Sequence, residues 1–290
     1  MVLWEVYSRK IRALTVKVRD LYNFPDEKGM VIAMFFYGTT DIGRKRAVNQ
    51  DNFKIKEYSE GVTLAVVCDG MGGARGGGVA SSLAICAFME YLDDNASTFT
   101  EDYDAPNADE AITDILKNAV VRANEAVFTA AASSPELTGM GTTLVCTLVT
   151  PQKLYCVNVG DSRMYHGTHS SIEQVTRDHS YVQYLVDIGR ITPKKAKKSS
   201  HRNIITRAVG TESSVEADLY TLTKSTSESP VFVLLCSDGL TNMVELREIA
   251  SALKSSDRSG DSLKRAAERV VTLANDHGGT DNITVVLLAY

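Results

Sequence analysis

Five aspartates stand at the ends of apolar, β-branched runs, and they are the residues best placed to do chemistry. Asp69-Gly70 follows the run 62–68, Gly160-Asp161-Ser162 follows 154–159, and Ser237-Asp238-Gly239 follows 231–236. At the C-terminus the order reverses. Gly278-Gly279-Thr280-Asp281-Asn282 leads into 283–288, and Gln50-Asp51 likewise leads into 52–56. A single Asp-Gly after a strand is an ordinary turn signal. Five such aspartates point further. Apolar strands are rigid and buried, so carboxylates at their ends share one rim, repel one another and need cations. Hard oxygen donors without His or Cys select Mg2+ or Mn2+ over zinc. Only five His occur, and none has metal-ligand spacing with another. Such a cluster is best suited to hydrolysis at phosphorus, where two ions lower the pKa of a bridging water, orient it in line and neutralise phosphoryl oxygens. A side-chain nucleophile is not required, and none is marked. No Cys has an Arg six positions on, and Asp102-Tyr103-Asp104 lies in a polar stretch.

The elements that must position these groups can be read from periodicity. Runs at 31–37, 52–56, 62–68, 142–149, 154–159, 231–236 and 283–289 read as strands. Helical spacing marks 109–132, with Asn107 as cap and Glu110 three residues later, 79–92 after a glycine cluster, and 262–276 ending at Gly278. Hairpin-like strand pairs beside grouped helices favour an α+β fold, sheet on sheet with helices outside. Stretches 93–106 and 211–230 read as polar surface loops. In residues 1–33, Trp4, Tyr7, Ile11, Leu14, Val18 and Leu21 form a heptad-like seam flanked by Arg and Lys. This part is expected to be an extension docked on the domain, with a start at Met30 or Met34 and a partner- or membrane-surface helix as the other readings.

The composition narrows the class. Of 290 residues, 44% are hydrophobic and 23% charged, as in a soluble globular chain. The net charge of −5 argues against broad nucleic-acid binding. The longest apolar run, 30–37, is too short for a membrane span. The five cysteines are an odd number without a CxxC pair and lie in apolar runs, which predicts buried free thiols in a reducing compartment. No signal peptide is evident.

The motifs together resemble the metal-dependent protein phosphatase family (type 2C Ser/Thr phosphatases, PPM), bacterial branch. The resemblance rests on Thr40-Asp41-Ile42-Gly43 with Arg46 and Asn49-Gln50-Asp51, on Cys68-Asp69-Gly70-Met71-Gly72-Gly73, and on Gly141-Thr142-Thr143-Leu144. It continues through Gly160-Asp161-Ser162-Arg163, Asp178-His179-Ser180, Ile205-Thr206-Arg207, Ser237-Asp238-Gly239 and Thr280-Asp281-Asn282. It covers about residues 34–290, with 1–33 as an extension and 176–209 as a mobile flap. The resemblance implies an α-β-β-α sandwich of two mainly antiparallel sheets with metals at one end. It implies that Asp69 bridges two ions, that the Gly70 carbonyl is a further ligand, and that Asp238 and Asp281 complete the first ion. Asp161 is matched to a third, weaker ion, Asp51 to the group holding metal-bound waters, and Arg46 to the residue that grips the substrate phosphate. The implied cofactor is Mn2+ or Mg2+.

There are departures. Gln50 stands where eukaryotic members carry Glu, Met71 where they carry His, Ala74 where some bacterial relatives carry His, and Ser199-Ser200 where the family has His-Pro. The leaving-group acid is therefore open between a metal-bound water and His179 or His201. A basic run, Lys194, Lys195, Lys197 and Lys198, is either a solvated helix face or an attraction for phosphorylated partners. The resemblance implies a monomeric cytoplasmic enzyme acting on phosphoproteins alongside a Ser/Thr protein kinase. The alternative is a catalytically silent scaffold module, whose mark would be a lost ligand; all four of Asp69, Asp161, Asp238 and Asp281 are present.

Overall fold

The computed structural model describes residues 34–224 and 230–290. The expectations for 1–33 lie outside the described residues. Two antiparallel sheets carry the fold. In the first, β1 (Phe35–Asp41) pairs with β11 (Ile283–Ala289), then come β10 (Phe232–Cys236), β7 (Arg163–Gly167) and β8 (Glu173–Gln174). In the second the order is β2 (Asp51–Ser59), β3 (Val62–Met71), β5 (Leu144–Val149), β6 (Lys153–Val159) and β9 (Asp218–Thr223), with β4 (Gly141–Thr142) on the end of β3.

Alternate residues of each central strand face different cores. Ala65, Val67, Val145 and Cys156 of one sheet pack with Met164, Val233, Leu235, Val286 and Leu288 of the other. Their neighbours Leu64, Val66, Cys146 and Val157 face outward, under α1 (Gly73–Asp94) and α3 (Ala108–Ser133), with the short α2 (Ser97–Thr100) between these helices in the chain. Leu234, Cys236, Val285 and Leu287 lie under α6 (Asp238–Thr241), α7 (Leu246–Leu253) and α8 (Gly260–Asp276). This is the expected helix–sheet–sheet–helix layering. It explains why β3, β10 and β11 read as continuous apolar runs: both faces are covered. Each large side chain buried this way, Phe88, Phe99 or Tyr155 for example, contributes about 1.5–3 kcal/mol. No helix of the described residues is long and apolar enough to cross a membrane.

Several expectations are corrected. The strand expected at 31–37 lies at Phe35–Asp41. The stretch 211–230 was expected to be a loop but contains β9, an edge strand of only partly buried residues whose polar Asp218, Thr221 and Thr223 hid it. β7 and β8 also went unpredicted. The helix expected at 79–92 begins at Gly73 and runs through the glycine cluster. Packing overrides propensity there, because a Cβ at Gly77 would meet the Gly70 carbonyl oxygen at 2.6 Å. Asn107 does precede α3, but its side chain makes no capping bond. Four cysteines are buried and free, whereas Cys86 is exposed on α1.

Candidate active site

The aspartates converge at one end of the sandwich. Asp51 opens β2 and lies directly across the ladder from Asp69 in β3. Asp281 precedes β11, Asp238 follows β10, and Asp161 sits in the turn from β6 to β7, where the chain crosses between sheets. Asp69, Gly70, Asp161, Asp238 and Asp281, with Arg46 and Gln50, line one cavity of about 470 Å3. Asp51 is buried behind this lining. Its Oδ2 accepts from the Ser237 and Thr284 hydroxyls, each at 2.7 Å, while its Oδ1 has no partner.

Neutral side chains hold the frame. The Asp69 amide donates to Thr143 Oγ1 at 2.9 Å, and its carbonyl accepts from the Thr143 amide and the Thr142 hydroxyl. Asn282 accepts from the Gln50 amide through Oδ1 and donates to the Ile42 and Val48 carbonyls, which fastens the 42–50 loop bearing Arg46. The Gln50 side chain donates to the Gly73 carbonyl at 2.8 Å, so the amide that replaces an acid here staples the turn into α1. Gly70 admits no side chain, since a Cβ would lie 2.0 Å from the Gly77 carbonyl oxygen. Thr143, Ser237 and Asn282 were not singled out from sequence. Their signal was adjacency to the strand-end aspartates or membership of the Gly141-Thr142-Thr143 motif.

The electrostatics are unfavourable as they stand. Burial, then repulsion from Asp51, Asp238, Asp161 and Asp281, pushes the Asp69 carboxyl well above the usual range. Burial, with Asp238 and Asp178 nearby, raises Asp161 in the same way. Burial pushes Asp51 up to about 7 against the hydroxyl bonds from Ser237 and Thr284, and pushes Asp238 up to about 6, helped by Asp281. Among the described residues, Arg46 is the single cationic side chain lining the cavity, and its Nη2 donates to Asp281 Oδ2 at 2.7 Å. The donor set, carboxylates plus the Gly70 carbonyl, fits a hard divalent cation, and the unpartnered Asp51 Oδ1 and Asp238 Oδ1 are acceptors such an ion or its waters would satisfy. As the side chains are placed, no group of three His, Cys, Asp or Glu among the described residues is gathered tightly enough to hold one ion. Asp281 is turned to Arg46, and Asp238 Oδ2 accepts from Asn242 at 2.9 Å.

Neither His candidate for the leaving-group acid lines this cavity. His201 is exposed in the 176–209 stretch. His179 is buried: its Nδ1 accepts from the Gly160 amide at 3.0 Å, and its own amide donates to the Gly160 carbonyl at 2.9 Å. That fixes the neutral ring's proton on Nε2, which faces Asp218 Oδ2 at 3.1 Å. Burial lowers its pKa, consistent with a neutral imidazole.

Comparison with known proteins adds the decisive observation: the profile of the family described as Protein phosphatase 2C matches residues 38–277. The chain belongs to the protein phosphatase 2C family. This phosphatase is 37% identical over 249 residues to the serine/threonine phosphatase stp of Listeria welshimeri, spanning 86% of this chain and 93% of that one. Its fold is similar to crystal structures of the Staphylococcus aureus serine/threonine phosphatase Stp1 (TM-score 0.76, 33% identity, 93% of this chain, 99% of that one) and of the catalytic domain of the phosphatase PstP in complex with two manganese ions (TM-score 0.70, 34% identity, 88% and 97%).

Two predictions follow from the geometry. The fold favours protonated acids at Asp51 and Asp238, so in chelator the phosphatase loses stability as pH rises through about 6 to 7. Thermal unfolding should therefore give a higher Tm at pH 6 than at pH 8 in EDTA, with the difference shrinking in Mn2+, and Asp69→Asn should raise the Tm in EDTA. A wild-type Tm that rises with pH in EDTA would contradict the assigned repulsion. Second, Asn at position 179 can reproduce the Nδ1 acceptor, whereas Gln reproduces only the Nε2 position. His179→Asn should keep most Mn2+ uptake measured by calorimetry, and His179→Gln should weaken the weakest binding event about tenfold or more. Equal behaviour of the two variants would remove the Gly160 bond from the account.

Proposed function

We propose that this serine/threonine protein phosphatase of the 2C family hydrolyses phosphoserine and phosphothreonine monoesters at the aspartate-lined cavity, with Mn2+ or Mg2+ as its cofactor. The carrying observation is the convergence of Asp69, Asp161, Asp238 and Asp281 on one cavity whose burial and mutual repulsion call for cations. Asp69, the Gly70 carbonyl, Asp238 and Asp281 would hold two ions, and Asp161 a third. Such ions, when bound, acidify water and neutralise phosphoryl oxygens.

The chain's own groups do the rest. Asp51, anchored through Oδ2 to two hydroxyls, keeps Oδ1 free as a fixed acceptor that orients the proton of an attacking water. Arg46 spends one N–H on Asp281, and its remaining donors suit the planar, bidentate capture of a phosphate at the exposed side of the cavity. His179 is committed to Gly160 and serves to position the Asp161 turn, so proton delivery to the leaving alkoxide falls to solvent in the cavity. Phosphorylated proteins, including those made by a Ser/Thr protein kinase, are the proposed substrates, and a cytoplasmic, monomeric enzyme is the proposed setting.

The test is turnover of para-nitrophenyl phosphate and of a phosphothreonine peptide with Mn2+ and with EDTA. Turnover should require the metal and vanish in Asp69→Ala and Asp238→Ala. Arg46→Ala should weaken phosphosubstrate binding by about 1.5–3 kcal/mol, the value of a hydrogen bond to a charged group, read as a raised KM. Full activity of Asp238→Ala after chelation and metal re-addition would overturn this scheme. A folded, metal-binding wild type without turnover would point to the silent module.

A further inference from the structure

Eight large apolar side chains are exposed among the described residues, and six of them lie in two segments, 42–48 and 181–204, that also supply cavity-lining residues. Val48 lines it, and Ile42 lies in the same Asn282-fastened loop. In the 176–209 segment, Ile204 is flanked by Asn203 and Ile205, which line the cavity, and its carbonyl accepts from the Tyr181 amide at 2.8 Å. Tyr181 opens α4 (Tyr181–Asp187), and Tyr184 and Ile188 follow at one and two turns, 54% and 49% exposed. Single exposed apolar residues are unremarkable, but a concentration beside a polar cleft marks a binding surface.

The same segment is strongly basic in an acidic protein. Residues 176–209 hold eight Lys or Arg and two Asp, in a chain of net charge −5. Arg177 pairs with Asp187, Lys197 with Glu245, and Arg207 with Asp218. No ion-pair partner is found among the described residues for Arg190, Lys194, Lys195, Lys198 or Arg202. Lys194 and Lys195 lie on the short α5 (Pro193–Ala196). One segment thus carries exposed apolar side chains, cations without an ion-pair partner among the described residues, and two residues, Asn203 and Ile205, that line the cavity.

Resting on the phosphatase reading above, we propose that Tyr181, Tyr184, Ile188 and Ile204, edged by Lys194, Lys195, Lys198 and Arg202, form a docking strip for an extended segment of the phosphorylated protein. The strip selects segments with an apolar side chain beside the phosphoresidue and acidic residues further out. Charge complementarity favours this occupant, since a phosphorylated acidic segment is an anion meeting unpaired cations, whereas a second copy of this acidic chain would bring net repulsion.

The experiment uses the full chain with Mn2+ and three phosphothreonine peptides: one with Leu beside the phosphothreonine and Glu beyond it, one with Ser for Leu, and one with Lys for Glu. The wild type should prefer the first by about tenfold in kcat/KM. The double variant Tyr184→Ser, Ile188→Ser should erase the Leu preference and leave para-nitrophenyl phosphate turnover unchanged. Lys194→Glu, Lys195→Glu, Lys198→Glu should erase only the Glu preference. Fluorescence anisotropy with labelled phosphonate analogues of the same peptides gives the preference independently of turnover. Absent turnover with a retained binding preference sinks the hydrolytic reading and supports the strip. No wild-type preference in either assay, or a preference that survives the double variant, overturns the strip. A double variant that changes only sedimentation would make the face a contact between copies and likewise overturn it.

Discussion

Repulsion among buried carboxylates is the constraint around which the rest of this molecule is arranged. Asp51 and Asp69 face each other across one ladder, a pairing of like charges that destabilises a sheet by itself. Asp238 and Asp281 enter from the other sheet, so closing the two sheets brings further negative charge to the same end. A chain with a marginal core could not hold this arrangement. Here three apolar clusters, one between the sheets and one outside each, fix the strand ends whatever their charge. The strain is local and the stabilisation is global, the usual relation between a functional site and its scaffold.

The side chains that touch the carboxylates or their backbone are mostly neutral. Thr143, Ser237, Thr284, Asn242 and Asn282 donate or accept hydrogen bonds without supplying a counter-charge that would replace a metal. Arg46 is the exception at the cavity, and it lies on a loop at the exposed side, where a substrate anion can compete for its donors. Gln50 belongs with the neutral group. Its amide bonds to Gly73 where a carboxylate would have added to the repulsion.

How much was legible from sequence depended on which physical signal each part leaves. β3, β10 and β11 were legible because burial on both faces makes them unbroken apolar runs. β9 was not, because an edge strand with half-buried faces need not be apolar, and its polar residues read as loop. The start of α1 was hidden because glycines, poor helix formers, are demanded there by the close approach of Gly70 and Gly77. Each aspartate was legible as a carboxylate at a strand end, since an acid beside a buried run is conspicuous. The Arg46–Asp281 pair joins residues 235 apart in the chain, so no local pattern announces it. Cys86 looked buried because its neighbours are apolar, yet helical periodicity turns it outward.

His179 shows that residues 176–209 are not a mere appendage. It holds Gly160, the residue before Asp161, while Arg163, just after Asp161, makes a two-pronged pair with Asp178 at 2.8 and 2.7 Å. At the far end of the same segment, the Thr206 amide bonds the His179 carbonyl, and Arg207 reaches Asp218. The N-terminal end of residues 176–209 therefore meets the turn that carries Asp161 directly, and the far end reaches it through His179, by buried and charge-assisted bonds that are hard to break singly. Residues 176–209 and the carboxylate at the cavity wall are thus joined through His179 and the Asp178–Arg163 pair, apart from the exposed face that carries Tyr184 and Ile188.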